Sequence, residues 1–121
     1  MTKYEIWGSG TITRGWNIGE RPYQREGREK YWKVCSSLKS ARAEAIKHWK
    51  YGKVSNQFTQ YNSAIIYTEK GKVAGSVNYS YSDKVFWWRP AYPIKDDKKK
   101  LDDLFRIVNK DGTLSTRKWV A

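Results

Sequence analysis

The shortage of ordinary aliphatic residues is the feature that most limits how this chain can fold. Leu, Ile, Val and Phe together make up 22 of its 121 residues, and the net charge is +12. A fraction this low combined with a high net charge is typical of disordered chains. Seven Trp and nine Tyr reverse that expectation, because disordered segments are poor in aromatic residues. The composition therefore predicts a folded domain whose core uses aromatic rings in place of leucine.

Length and composition indicate one small domain without membrane or disulfide chemistry. A chain of 121 residues corresponds to a single domain. Cys35 is its only cysteine, which excludes an intrachain disulfide and favours a reducing, cytoplasmic location. No apolar run approaches the roughly 20 residues that a transmembrane helix needs, so we expect no membrane partner. One His and one Cys do not form a conventional zinc site, and we expect neither a cofactor nor enzymatic activity.

Local patterns predict an α+β fold, in which an antiparallel, aromatic-rich sheet packs against one main helix. Residues 3–13 and 30–36 alternate as strands do, and residues 61–89 read as a three-strand meander. The main helix is predicted at 38–51, where apolar residues recur at three- to four-residue spacing. Residues 14–29 lack periodicity and contain three Gly and one Pro, which predicts a loop.

Two interpretations stay open for the C-terminal part of the chain. Apolar residues at helical spacing predict a second helix at about 97–108, with Asp97 at its start. The alternative is a hairpin of Phe105–Asn109 and Leu114–Trp119 around the Asp111-Gly112 turn.

The order of predicted elements over residues 38–108 is similar to the core of a double-stranded-RNA-binding domain. Both contain a helix, a three-strand meander and a second helix. In that family a lysine cluster at the start of the second helix contacts phosphates, and Lys98-Lys99-Lys100 matches its position. The resemblance implies a phosphate-binding role for these lysines. The family's Gly-Pro-x-His turn and first-helix signature have no counterpart in this chain.

The predicted loop at 14–29 is the first candidate binding segment, because it interleaves arginines with aromatic rings. Arginine binds phosphate in a bidentate manner, and rings stack on bases. The alternative is a charged surface loop partly neutralised by its glutamates. The candidate residues here are Arg14, Trp16, Arg21, Tyr23, Arg25 and Arg28.

Further candidates lie on the neighbouring strands and the main helix. Trp7 and Tyr31 fall on the strand faces opposite the presumed core, so they are expected to be exposed. Lys33 follows Tyr31, and helix lysines add positive charge, although a solvated helix face explains those equally well. Trp87 and Trp88 are adjacent rings that either form a stacking platform or pack in the core. The helix lysines are Lys39, Lys47 and Lys50.

Cations beside flat rings favour a non-enzymatic protein that binds nucleic acid, DNA or RNA, through phosphate contacts and base stacking. One alternative is an inhibitor or adaptor, of the kind that phages encode against defence systems, that docks on an acidic or nucleic-acid-handling protein through Trp, Tyr and Arg. Another is a protein that sequesters a small nucleotide between an arginine and a ring.

Overall fold

The computed structural model describes residues 3–14, 23–30, 34–47, 51–54, 57–80 and 82–119. Side-chain environments are described for residues 3–8, 34–47, 63–80 and 82–119. The elements in chain order are β1 (Tyr4–Arg14), β2 (Tyr23–Lys30), α1 (Leu38–Lys47), β3 (Tyr51–Val54), β4 (Gln57–Thr68), β5 (Val73–Ser80), β6 (Val85–Pro90), α2 (Lys98–Asp103), β7 (Arg106–Val108) and β8 (Leu114–Lys118).

The strands form an antiparallel sheet in the order β2-β1-β4-β5-β6-β7-β8, and β3 pairs with the first residues of β4. α1 packs against β1, β4 and β5. The predicted α+β class, with one main helix on an antiparallel sheet, is therefore confirmed. The meander predicted at 61–89 is confirmed as β4, β5 and β6, with Gly71 at φ 79° in its first turn.

The core lies between α1 and one face of the sheet. Ile6, Ile66 and Val77 are its largest completely buried side chains, and α1 contributes Ala41 and Ala45. Trp88 is the ring at its centre, only 3% exposed. Gly75 is the residue opposite Pro90, and a side chain there would collide with the Trp88 ring. Trp88 is the only aromatic ring that is buried among the described residues, so the described core is mostly aliphatic and the expected replacement of leucine by rings holds there only in part.

Arg42 joins α1 to the far end of the sheet. Its guanidinium lies 4.9 Å from the centroid of the Trp88 ring, and its Nε donates a 2.7 Å hydrogen bond to the carbonyl of Gly112. Burial lowers the pKa of Arg42 below its ordinary value, and the negative charge of Asp103 partly offsets this effect. Gly112 itself has φ 89° and lies against the α1 backbone at Lys39. The turn after β7 is therefore seated directly on the helix.

The second helix predicted at 97–108 is wrong in its length, and the hairpin alternative is confirmed. Asp97 caps α2 by accepting hydrogen bonds from the backbone N–H groups of Lys99 and Lys100, as expected for its position. The helix ends at Asp103, and Phe105 has φ 66°, a conformation that interrupts helical geometry. β7 and β8 then form the hairpin around the Asp111-Gly112 turn.

Three further boundaries differ from the sequence prediction. The residues expected to form a loop at 14–29 include the end of β1 and nearly all of β2, which pair with each other; residues 15–22 lie outside the described part. The main helix ends at Lys47 instead of residue 51, since Tyr51 belongs to β3. Of the strand expected at 30–36, Lys30 ends β2 and Cys35 makes a single bridge to Tyr4, while residues 31–33 are not described.

Candidate functional site

The face of the sheet opposite α1 is partly exposed along its described length. Side chains alternate between the two faces of a strand. The residues that alternate with the buried positions of β1, β4, β5 and β6 therefore share the opposite face, and among the described ones only Ser80, at the end of β5, is buried. α2 packs against β6. We call this surface the open face; it comprises Trp7, Ser63, Ile65, Tyr67, Ser76, Asn78, Trp87 and Arg89.

Strand register places these residues in two rows across the sheet. Trp7 pairs with Ile65, Ile65 with Ser76, and Ser76 with Arg89. The neighbouring row contains Asn78, between Ser63 and Trp87. Three strand spacings of about 4.8 Å and a two-residue offset of about 7 Å separate Trp7 from Trp87, so the two indoles lie roughly 16 Å apart on one face.

The first aromatic cluster is formed by Trp7 and Tyr67. Their ring centroids are 6.4 Å apart and the rings are nearly perpendicular, at 81°. The Trp7 Nε1 donates a long, 3.5 Å hydrogen bond to Glu5 Oε2. With Gly71 these residues line a cavity of about 300 Å³. Trp7 was expected to be exposed, and it is half-buried because its ring rests against Tyr67.

The second aromatic cluster is formed by Trp87, Phe105 and Trp119. Trp87 and Trp119 are stacked, with centroids 5.1 Å apart and planes within 11° of parallel. Phe105 packs at 5.2 Å from Trp87 and is 40% exposed. The Trp119 Nε1 donates a 2.6 Å hydrogen bond to Asp83 Oδ2, which fixes the tilt of that ring. Three distant segments of the chain thus build one ordered aromatic surface.

Backbone hydrogen bonds hold this second cluster in place. The Phe105 N–H donates to the Trp88 carbonyl at 2.9 Å, and the Trp119 N–H donates to the Phe105 carbonyl at 2.7 Å. Ile107 is the register partner of Trp87. The rings are therefore preorganised, so a ligand that stacks on them loses little additional side-chain entropy.

Between the two clusters the open face carries the apolar Ile65 and the uncharged polar residues Ser63, Ser76 and Asn78. The Asn78 amide Nδ2 donates to the Ser76 hydroxyl at 3.1 Å and to the Ser76 carbonyl at 3.4 Å. Ser63 is the register partner of Asn78 on the other side. Amide and hydroxyl groups both donate and accept, so this centre can hydrogen-bond to the edges of bases.

The predicted cationic residues divide into two sets. In β2, Arg28 is the register partner of Ser9, so its backbone position continues one row of the open face. Lys30, the last residue of β2, was not a predicted site residue; it is the partner of Trp7 and continues the other row. Arg14 pairs with Tyr23, and Arg25 pairs with Ile12, in the alternate rows. Their side chains are not described.

Other predicted site residues are not brought to the open face. Lys39 and Lys47 are exposed on α1, which covers the opposite side of the sheet. The residues that lie outside the described part are Trp16, Arg21, Tyr31, Lys33 and Lys50.

Several residues of the open face were not in the predicted site. Sequence alternation separates Trp87 from Trp88 but does not say which of them faces α1. Tyr67 and Arg89 follow from the same alternation once that face is known. Trp119 carries no comparable signal, because its contact with Trp87 depends on the register of the C-terminal hairpin.

A second cationic region lies at α2 and β8. Lys98, Lys99 and Lys118 surround Leu101, which is 51% exposed, in a cavity of about 670 Å³. Asp102 also lines this cavity and is paired with Arg106 at 2.7 Å. Of the lysines that match the double-stranded-RNA-binding pattern, Lys98 and Lys99 are exposed and Lys100 is partly exposed, but the helix that carries them has only six residues.

Comparison with protein families, curated proteins and solved structures found no match to this chain. Within the described ranges, no group of three or more His, Cys, Asp or Glu residues is arranged to hold a metal ion. None of the described helices has the length and apolar character required to cross a bilayer.

Proposed function

We propose that this protein binds single-stranded nucleic acid across the open face, without enzymatic activity. The observation that supports the proposal is the placement of two ordered aromatic clusters on one face of a sheet, roughly 16 Å apart by strand spacing, in a protein of net charge +12. Flat rings and cations are the two components of sequence-tolerant single-strand binding.

The aromatic clusters favour unpaired bases as the ligand. A base in a duplex is stacked on both sides, so a protein ring reaches it only after the base is extruded. Unpaired bases stack on exposed rings, with a contribution of about 1–3 kcal/mol each. Two clusters at this separation fit the two or three bases that a four-stranded RNA-binding sheet stacks on its rings. The polar centre with Ser76 and Asn78 lies where intervening bases pass.

Positive charge supplies the other part of the binding energy. Neutralised phosphates release condensed counterions, so affinity falls steeply as salt rises. Arg89 is exposed at one end of a row, and the backbone of Lys30 lies at the other end. These positions are four strand spacings apart, about 19 Å. The row is therefore long enough for the phosphates on both sides of a stretch of stacked bases to lie along it.

The test is a fluorescence anisotropy titration with labelled single-stranded DNA and RNA and with a duplex of the same sequence. We expect binding to the single strands, quenching of Trp fluorescence, and a loss of orders of magnitude in affinity between about 50 and 200 mM salt. Salt-independent binding, or no binding at 50 mM salt, would overturn the proposal. Preferential duplex binding would instead favour the lysines of α2.

A protein partner is the alternative that this experiment addresses. If purified protein carries no nucleic acid and captures an acidic protein in the presence of nuclease, the open face is a protein-docking surface. Trp, Tyr and Arg dominate the binding energy of such interfaces as well.

A further inference from the structure

A small groove lies at the end of β6, beside the open face. It has a volume of about 330 Å³ and is lined by Val73, Gly75, Ser76, Arg89, Pro90, Ala91 and Tyr92. Tyr92 is 71% exposed and Val73 is 47% exposed. Large rings usually lie buried or against a partner. A ring this exposed, beside an exposed aliphatic side chain, marks a surface suited to a flat ligand.

The groove carries the positive charge of Arg89 beside its exposed ring. The Arg89 guanidinium lies 4.9 Å from the centroid of the Tyr92 ring. No described carboxylate forms an ion pair with Arg89, and Arg89 is itself exposed. Because Arg89 covers one face of the ring while the ring stays 71% exposed, the other face is open to a ligand.

The groove is continuous with the open face. Ser76 belongs both to the groove lining and to the row that starts at Trp7, and it is the register partner of Arg89. A ligand in the groove therefore lies in line with a nucleic-acid strand that crosses the open face.

We propose that the groove between Val73, Arg89 and Tyr92 binds a nucleoside monophosphate. The base stacks on the free face of Tyr92 and against Val73, and the phosphate pairs with the Arg89 guanidinium, whose fork matches phosphate geometry. The volume of about 330 Å³ is at the small end of ligand pockets, which suits one nucleotide. A nucleoside monophosphate occurs as a free mononucleotide and as the phosphorylated end of a nucleic-acid strand. The second source depends on the single-strand binding proposed above.

The first arm of the test uses free ligands and the whole protein. Chemical shift changes in ¹H–¹⁵N spectra are followed for a nucleoside 5′-monophosphate, the matching nucleoside and inorganic phosphate. We expect the nucleotide to bind at least about tenfold more tightly than either fragment, because only it contacts both Arg89 and Tyr92. The perturbed amides should belong to residues 73–76 and 89–92. Phosphate alone binding as tightly as the nucleotide would overturn the role of Tyr92.

Two substitutions separate the two contacts, and a third is the control. Arg89→Gln removes the charge and Tyr92→Leu removes the ring; each should weaken nucleotide binding about tenfold or more. Lys110→Gln makes the same charge change at an exposed position in the β7–β8 turn and should leave the affinity unchanged. Dispersed ¹H–¹⁵N spectra establish that each variant is folded. Wild-type affinity in the folded Tyr92→Leu or Arg89→Gln variant overturns the proposal.

The second arm identifies the source of the nucleotide. Short single strands with a 5′-phosphate, a 3′-phosphate or hydroxyl ends are compared by anisotropy. Tighter binding of one phosphorylated end, lost in Arg89→Gln, assigns the groove to a strand terminus. If the protein binds the mononucleotide and also binds all three strands with equal affinity, the groove is assigned to free nucleotide. If strands bind equally and the mononucleotide does not bind, the groove proposal fails and the single-strand proposal stands. If the mononucleotide binds and no strand does, the groove proposal stands and the single-strand proposal fails.

Discussion

The adjacent tryptophans of β6 offer a matched pair of substitutions that separates the core from the open face. Trp88 is 3% exposed, lies against Gly75 and carries the Arg42 guanidinium over its ring. A ring of this kind buries about 200 Å², which corresponds to about 5 kcal/mol at 25 cal/mol per Å². Measured Trp→Ala changes in cores cost about 3–5 kcal/mol. Trp88→Ala should therefore remove much of a total stability of about 5–15 kcal/mol.

Trp87→Ala should destabilise the fold less than Trp88→Ala does and should mainly weaken binding of single-stranded nucleic acid. Its side chain is partly exposed, and its main described contacts are Trp119 and Phe105. Loss of such ring pairs costs about 0.5–1.5 kcal/mol each. The expected destabilisation is thus about 1–3 kcal/mol, which leaves the protein folded. Affinity for single-stranded nucleic acid should fall about tenfold or more, because a stacked base contributes about 1–3 kcal/mol.

The assays are urea denaturation followed by circular dichroism and anisotropy titration of a labelled single strand at low salt. If Trp88→Ala destabilises the protein no more than Trp87→Ala does, the assignment of the two faces is refuted. If folded Trp87→Ala binds the strand with wild-type affinity, the stacking argument is refuted while the fold stands.

Three smaller predictions concern the elements that support the site, each measured by denaturation. Gly112→Ala places a side chain against the Lys39 carbonyl at φ 89° and should cost at least about 3 kcal/mol; a neutral effect would contradict the seating of the turn on α1. Asp97→Ala removes the α2 cap and should cost about 1 kcal/mol. Hydrogen bonds from Thr113 lower the pKa of Asp111 in the folded protein. The ionised carboxylate therefore stabilises the fold fully above about pH 4, and this stabilisation is lost as pH falls through the lower pKa of the folded state. Asp111→Asn should therefore show a shallower loss of melting temperature than wild type between about pH 4 and pH 2; an unchanged profile would exclude this contribution.

The meander was predictable because its strands alternate and its first turn contains glycine where φ is positive, at Gly71; in its second turn the residue with positive φ is Lys84, which no glycine marks in the sequence. β2 was not, because Tyr23–Lys30 is mostly charged or polar and contains glycine, which resembles a loop. Its strand state comes from pairing with β1 at the edge of the sheet, where charged residues are common. Pairing of this kind is a tertiary effect that local periodicity does not contain.

Local sequence patterns also failed to decide the structure of the C-terminal residues. Leu101 and Phe105 have helical spacing with Val108, yet Leu101 is 51% exposed and Val108 reaches the core from a strand. A short apolar pattern fits both structures, so the hairpin was decided by packing against α1 and β6. For Trp87 and Trp88 the sequence left a stacking platform and core packing open, and the structure places Trp88 in the core and Trp87 on the open face. Which rings compose the open face depended on knowing the face that α1 covers.

The contact between Arg42 and Gly112 spans 70 residues of sequence. During synthesis, α1 and the meander emerge from the ribosome well before the hairpin that brings Trp119 onto Trp87. Long-range closure of this kind is slow, because chain entropy is lost before the contact forms. Until the chain has emerged as far as Trp119, Trp87 lacks its stacked partner, so the second aromatic cluster is completed after the meander.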